Sequence, residues 1–166
     1  MRHIISILLQ NEAGALTRVA GLFSTRGYNI ESLSVAPTQD PAISRLTLVS
    51  AGNDTGFDQI AHQLQKLVDV VQVEDMTRDA HFEREMAMLK FRLPTGAIDP
   101  VMRLVSEADG KVLSGELDSF VMTLTHSEGE IDRFIEEASR HGELLEVVRS
   151  GALAIGRGSR GLKDPR

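Results

Sequence analysis

Five histidines, an excess of carboxylates and scattered arginines are the groups from which this 166-residue chain would have to build an acid–base or metal site. The histidines are His3, His62, His81, His126 and His141, and no two fall at i, i+3 or i+4 of one helix pattern, the spacing that presents two imidazoles to one metal ion. Cysteine is absent, which excludes thiolate zinc sites, cysteine nucleophiles and disulfide frameworks. Gly156, Gly158 and Gly161 fit G-x-G-x-x-G, but a dinucleotide loop must feed a helix and meet an acidic residue about 20 positions later. The chain ends at Arg166, too soon for either. Asn53-Asp54-Thr55 spells a glycosylation acceptor and reads instead as a turn with a helix cap. The carboxylate pairs Glu83/Glu85 and Glu136/Glu137 read as charges on solvated faces. There is no G-x-S-x-G, no Walker loop and no Ser/His/Asp set with suggestive spacing. No catalytic and no metal-ligating residue is assigned, and the chain is not expected to be an enzyme.

Binding chemistry is a different matter. In Asn11-Glu12-Ala13-Gly14-Ala15-Leu16 a glycine lets backbone approach a ligand closely, just where a helix begins. The unpaired N–H groups of a first helical turn, at the positive end of its dipole, favour a carboxylate. Asn11 both donates and accepts, so the segment carries what is needed to hold the two charged ends of a free amino acid. The plainer reading, a cap and a tight turn, stands beside it.

The elements around this segment follow from periodicity. Residues 3–10 are an apolar strand, Leu16, Val19, Ala20, Leu22 and Phe23 share one helix face, and Gly27 suits the helix stop. Strands are expected at 29–36 and 43–50, a helix at 55–67 and a strand at 68–73, giving βαββαβ. After Thr77-Arg78-Asp79 the order begins again: a strand at 82–93, a helix with Met102, Val105 and Ala108, and strands at 111–114 and 120–125. A helix capped by Ser127 and Glu130 comes next, then a last strand at 144–155 broken near Gly151. The fold class is α+β, two ferredoxin-like βαββαβ modules, each an antiparallel four-stranded sheet with two helices on one face. The expected domains are 1–77, 78–156 and a flexible basic tail at 157–166. Such modules leave a sheet face and edges open, so a dimer is expected.

Composition narrows the partners. Aromatics are only 4% and net charge is −6, which disfavours stacking on single-stranded nucleic acid and binding a polyphosphate. No stretch approaches the roughly 20 apolar residues of a membrane span, and the apolar run from Ile4 to Leu9 is too short for a signal peptide. A cytoplasmic location is expected.

The run from Asn11 to Thr38, with R-G-Y-N-I-E-S-L at Arg26 to Leu33 and V-A-P-T at Val35 to Thr38, closely resembles the ACT domain of the regulatory small subunit of acetohydroxyacid synthase (acetolactate synthase). Q-L-Q-K-L-V-D-V at Gln63 to Val70, Arg84-Glu85, and V-V-R-S-G at Val147 to Gly151 extend the resemblance over about residues 1–158. It implies a first module that is an ACT domain, in a non-catalytic subunit that binds the catalytic large subunit, raises its activity and confers feedback inhibition by valine in branched-chain amino acid biosynthesis. Thiamine diphosphate, FAD and magnesium are then expected on the large subunit and no cofactor on this chain. The implied effector site lies between two ACT domains of a homodimer, with Asn11, Gly14, Ala15 and Leu16 facing Asn29 and Ile30. The alternative is a free-standing amino-acid-sensing ACT protein that regulates another enzyme or a regulator.

Overall fold

A computed structural model describes residues 1–159, 161 and 162. The chain forms β1 (Arg2–Gln10), α1 (Ala15–Thr25), β2 (Asn29–Pro37), β3 (Ile43–Ala51), α2 (Asp54–Leu64), β4 (Val70–Asp75), β5 (His81–Arg92), α3 (Ile98–Glu107), β6 (Lys111–Ser114), β7 (Phe120–His126), α4 (Glu128–Ala138), β8 (Glu143–Arg149) and β9 (Leu153–Gly156). Two compact units result, Met1–Phe82 together with the segment from Ala152 onward, and Glu83–Gly151.

In the first unit the antiparallel sheet runs β2-β3-β1-β4. The central strand β1 is apolar almost without interruption because both its faces are covered. Ile5, Ile7 and Leu9 point at α1 and α2, where Val19, Phe23, Phe57, Ile60 and Leu64 complete the core. On the opposite face Ile4 joins Val49 and Met76 under Ala152 and Ala154. The βαββαβ pattern alone leaves that face open; instead the chain's own β9 lies over part of it. The Arg45 guanidinium fastens this strap, donating from Nη2 to the Ala154 carbonyl at 2.7 Å and to Ser6 Oγ at 3.1 Å. Ala152 N–H donates to Ser32 Oγ at 3.4 Å.

The second unit repeats the pattern with sheet order β6-β7-β5-β8, and β9 pairs with β5 as a fifth strand where four were expected. Ala87, Leu89, Phe91, Met122 and Leu124 face Val101, Val105, Ile131, Phe134 and Ala138 of α3 and α4. Ser127 and Glu130 form the expected capping box, with Ser127 N–H donating to Glu130 Oε2 at 3.1 Å.

Three expectations need correction. The second helix stops at Leu64 rather than 67, because Lys66 N–H and Leu67 N–H bond three residues back, to Gln63 O and Leu64 O; the strand after it accordingly starts at Val70. The last strand is two strands in different units: at Gly151 the backbone turns left-handed (φ 78°), and the segment from Ala152 joins the first unit, so that unit does not end at 77 nor the second at 156. The basic tail is not loose where it begins. Arg157 N–H donates to Ala80 O at 2.9 Å, its guanidinium lies 4.5 Å from the Phe82 ring centroid, and Leu162 is buried. Residues 160 and 163–166 of that tail lie outside the described residues.

Candidate functional site

The turn between β1 and α1 is held from three sides. Asn11 continues the edge of β1: its N–H donates to Ala42 O at 2.8 Å and its Nδ2 to Pro41 O at 2.9 Å, so the β2–β3 turn fixes the side chain and Oδ1 takes no part in these bonds. Gly14 stands at the helix start with φ 87°, a conformation that costs any other residue but asparagine or aspartate dearly. No side chain caps α1 and no acidic residue lies in its first turn, whereas Asn53 caps α2 and Ser127 caps α4. The positive end of the α1 dipole therefore meets no charge from its own first turn. Ala15 is buried in the core, so only its backbone faces the turn, while Leu16 is 36% exposed and presents an apolar edge.

Asn29 and Ile30 are not beside this turn within one chain. Gln10, just before Asn11, pairs with Ile43, and Asn29 pairs with Ala51, at the two opposite ends of β3. At about 3.3 Å per residue the separation is roughly 26 Å along the strand, far more than a free amino acid spans. Asn29 is exposed and its carbonyl accepts from Ser50 Oγ at 2.7 Å; Ile30 is half-buried against the helix-side core. Tyr28 anchors this end, packing against Gly52 and Gly56 and donating from Oη to Asn53 Oδ1 at 3.2 Å.

Two groups at the turn were not found from sequence. Arg18 sends Nε and Nη2 to the two carboxylate oxygens of Asp69, the Nη2 bond measuring 2.9 Å. The Arg18 hydrogen bonds hold the Asp69 carboxyl below its ordinary range, and Asp69 in turn raises the guanidinium. Arg18 stands one helical turn beyond Gly14, a spacing visible in the sequence; Asp69, brought in by β4, is not.

Elsewhere the ionisable groups do structural work. Glu85, expected on a solvated face, is buried and takes a two-pronged ion pair from Arg149 at 3.0 and 2.9 Å, with Asp132 bound to the same guanidinium at 2.7 Å. The hydrogen bonds that Arg149 donates, to Glu85 first and then to Asp132, raise its guanidinium further above the ordinary range against the cost of burial. This pair ties the Arg84-Glu85 segment to V-V-R-S-G. Glu136 and Glu137 pair with Arg140 on the surface of α4. His3 stacks on Phe57 with centroids 3.9 Å apart, and His126 donates from Nε2 to Ala108 O at 2.6 Å. Among the described residues no three metal-ligating side chains converge, and no helix is long and apolar enough to cross a membrane. A shallow depression on the second sheet is lined by Met88, Lys90, Val121, Glu146 and Val148; its charges are spent on the 2.9 Å Lys90–Glu146 pair.

Comparison with known proteins gives the same answer for both units. Residues 5–72 match the family described as AHAS small subunit-like ACT domain, and residues 84–158 match the small subunit of acetolactate synthase family. The chain is 41% identical over 162 residues to the acetolactate synthase small subunit of Haemophilus influenzae, covering 98% of this chain and 99% of that one. It is 41% identical over 160 residues to the acetolactate synthase isozyme 3 small subunit of Escherichia coli, covering 96% and 98%. The crystal structure of the acetolactate synthase small subunit from Thermotoga maritima superposes with a TM-score of 0.85 at 30% identity, covering 96% of this chain and 99% of that one. With two ferredoxin-like modules, the first an ACT domain, and relatives matched nearly end to end, the chain belongs to the acetolactate synthase small-subunit family.

Proposed function

We propose that this chain is the non-catalytic regulatory subunit of acetolactate synthase: it binds the catalytic large subunit, raises its activity, and makes that activity sensitive to valine. Thiamine diphosphate, FAD and magnesium then reside on the large subunit, and the pair works in the cytoplasm. The observation that carries the reading is the β1–α1 turn. A helix start with a left-handed glycine and neither side-chain cap nor first-turn acid has donors to offer a carboxylate, and the tethered Asn11 offers Oδ1 to an ammonium.

Asn29 and Ile30 enter through a second copy. Because one chain holds them a whole strand length from Asn11, only the partner's first unit in a homodimer can supply them to the same ligand. A ligand shared by two subunits biases their arrangement only if it binds one arrangement better, and each factor of ten in that preference is about 1.4 kcal/mol of coupling. Valine binding between the paired ACT domains stabilises the arrangement that activates the large subunit less well. Isoleucine and leucine differ from valine by one methylene, worth only about 1–3 kcal/mol in an apolar pocket, so they are weaker effectors rather than inert ones.

The test is acetolactate formation by the large subunit alone, with this chain, and with this chain plus millimolar valine. Activation followed by inhibition supports the proposal. No activation favours a free-standing ACT sensor, and activation without a valine effect removes the effector role of the turn.

A further inference from the structure

The turn that the proposed function assigns to the effector is gripped by one residue which that function has not used. Arg18 reaches back over Gly14 twice: its backbone N–H donates to Gly14 O at 3.0 Å, and its Nη1 lies 2.9 Å from where a Cβ on Gly14 would stand. The guanidinium is held there by Asp69, which takes both Nε and Nη2; the Asp69 side chain is 8% exposed and that of Arg18 48%. Asp69 grips the other end of the turn as well, its carbonyl accepting Gln10 N–H at 2.7 Å. A register shift between Leu8 and Leu9 in the β1–β4 pairing brings it to that position. The segment from Gln10 to Arg18 is thus a loop closed at both ends on a single aspartate.

We propose that Arg18, locked by Asp69, is the positioning residue of the effector turn: it acts through Gly14, fixing the left-handed bend that aims the first-turn N–H groups, and so sets how tightly a carboxylate-bearing effector is held. The inference rests on the turn being the effector site. It also gives Gly14 a second reason to lack a side chain. Beyond the positive φ, a Cβ there meets a guanidinium that can yield only by loosening its hold on Asp69.

The experiment uses the full chain with its catalytic large subunit and reads the valine concentration for half-inhibition, with L-valine as the probe. Asp69→Asn keeps the size and loses the charge, and Arg18→Lys keeps the charge and loses the fork. Each should raise the half-inhibiting concentration about tenfold, the scale of losing a charge-assisted pair of hydrogen bonds. The decisive arm is a cycle with Gly14→Ala. In the wild-type background the new methyl meets the pinned guanidinium; with Arg18→Ala the obstacle is gone and only the backbone strain remains, so the penalty of Gly14→Ala on valine response should shrink several-fold. A role confined to stability lowers the melting temperature but leaves that penalty equal in both backgrounds, and equal penalties overturn the proposal. If wild type responds to valine and both Asp69→Asn and Arg18→Lys respond alike, the positioning role alone falls. If wild type itself does not respond, the effector reading falls and takes the positioning role with it.

Discussion

Replacing glycine by alanine inside a helix should stabilise or destabilise this chain according to one neighbour, Tyr28. A methyl added at Gly21, in the middle of α1, would have nothing within 4 Å, so Gly21→Ala should stabilise by about 0.5–1 kcal/mol through helix propensity and a less flexible unfolded chain. Gly56, in α2, is different. A Cβ there overlaps Tyr28 Oη and comes within 2.8 Å of Asn53 Oδ1 and 3.0 Å of Tyr28 Cζ. To admit it, Tyr28 must give up its 3.2 Å bond to Asn53 and its edge-on packing against Phe57 at 6.4 Å between centroids. Those losses amount to about 2–3 kcal/mol, and the propensity gain offsets at most about 1, leaving a net destabilisation of about 1–2 kcal/mol. For a unit of this size each kcal/mol moves the melting temperature by about 4–8 °C, so calorimetry should show Gly21→Ala above wild type and Gly56→Ala below it. In a Tyr28→Phe background, which removes the overlapping oxygen, the Gly56→Ala penalty should fall. Equal upward shifts for Gly21→Ala and Gly56→Ala would refute the reasoning. Since Tyr28 directly precedes Asn29, the same substitution should also weaken the valine response.

Asn11→Ala should raise the half-inhibiting valine concentration about tenfold or more, by removing a side chain that orients on Pro41 O, as read in the coupled acetolactate assay. Arg45→Met should release the β9 strap by leaving the Ala154 carbonyl without its donor, a loss of about 2 kcal/mol seen as faster hydrogen exchange and proteolysis after Gly151. The hydrogen bond from Ser127 depresses the Glu130 carboxyl, and Arg18 depresses Asp69, so both contribute stability that is complete above the ordinary carboxylate range and is lost as pH falls through the lowered folded values. Acid titration followed by circular dichroism should therefore show Ser127→Ala and Arg18→Lys each removing part of that acid-side loss.

Periodicity carried most of the fold. Phe57, Ile60 and Leu64 at helical spacing and the alternation of Ala87, Leu89 and Phe91 place the helices and strands within about three residues, because burial on one face leaves a pattern in sequence. It failed where a local signal had a distant cause. Leu144 to Ile155 reads as one broken strand, and nothing near Gly151 tells that Ala152 and Ala154 are small and apolar in order to lie on Ile4 and Val49. Glu85 looks like any exposed carboxylate until β8 brings Arg149 to it. At the candidate site Asn11 and Gly14 stood out through their residue types, while Asp69 is an ordinary residue of a loop until the β1–β4 pairing sets it beside Arg18.

The return of the chain to the first unit after Gly151 makes the second unit an insertion rather than an appended domain. Its way in and its way out are neighbouring strands: Met86 O accepts Ser150 N–H at 2.9 Å, and Ala87 pairs with Arg149. Cutting the chain at residue 77 would therefore discard the cover of one face of the ACT sheet, and with it the partners of Arg45, Ile4 and Val49. Excising the segment from Glu83 to Gly151 and splicing a short turn in its place keeps that cover, and is the way to prepare the smallest complete form of the effector-binding half.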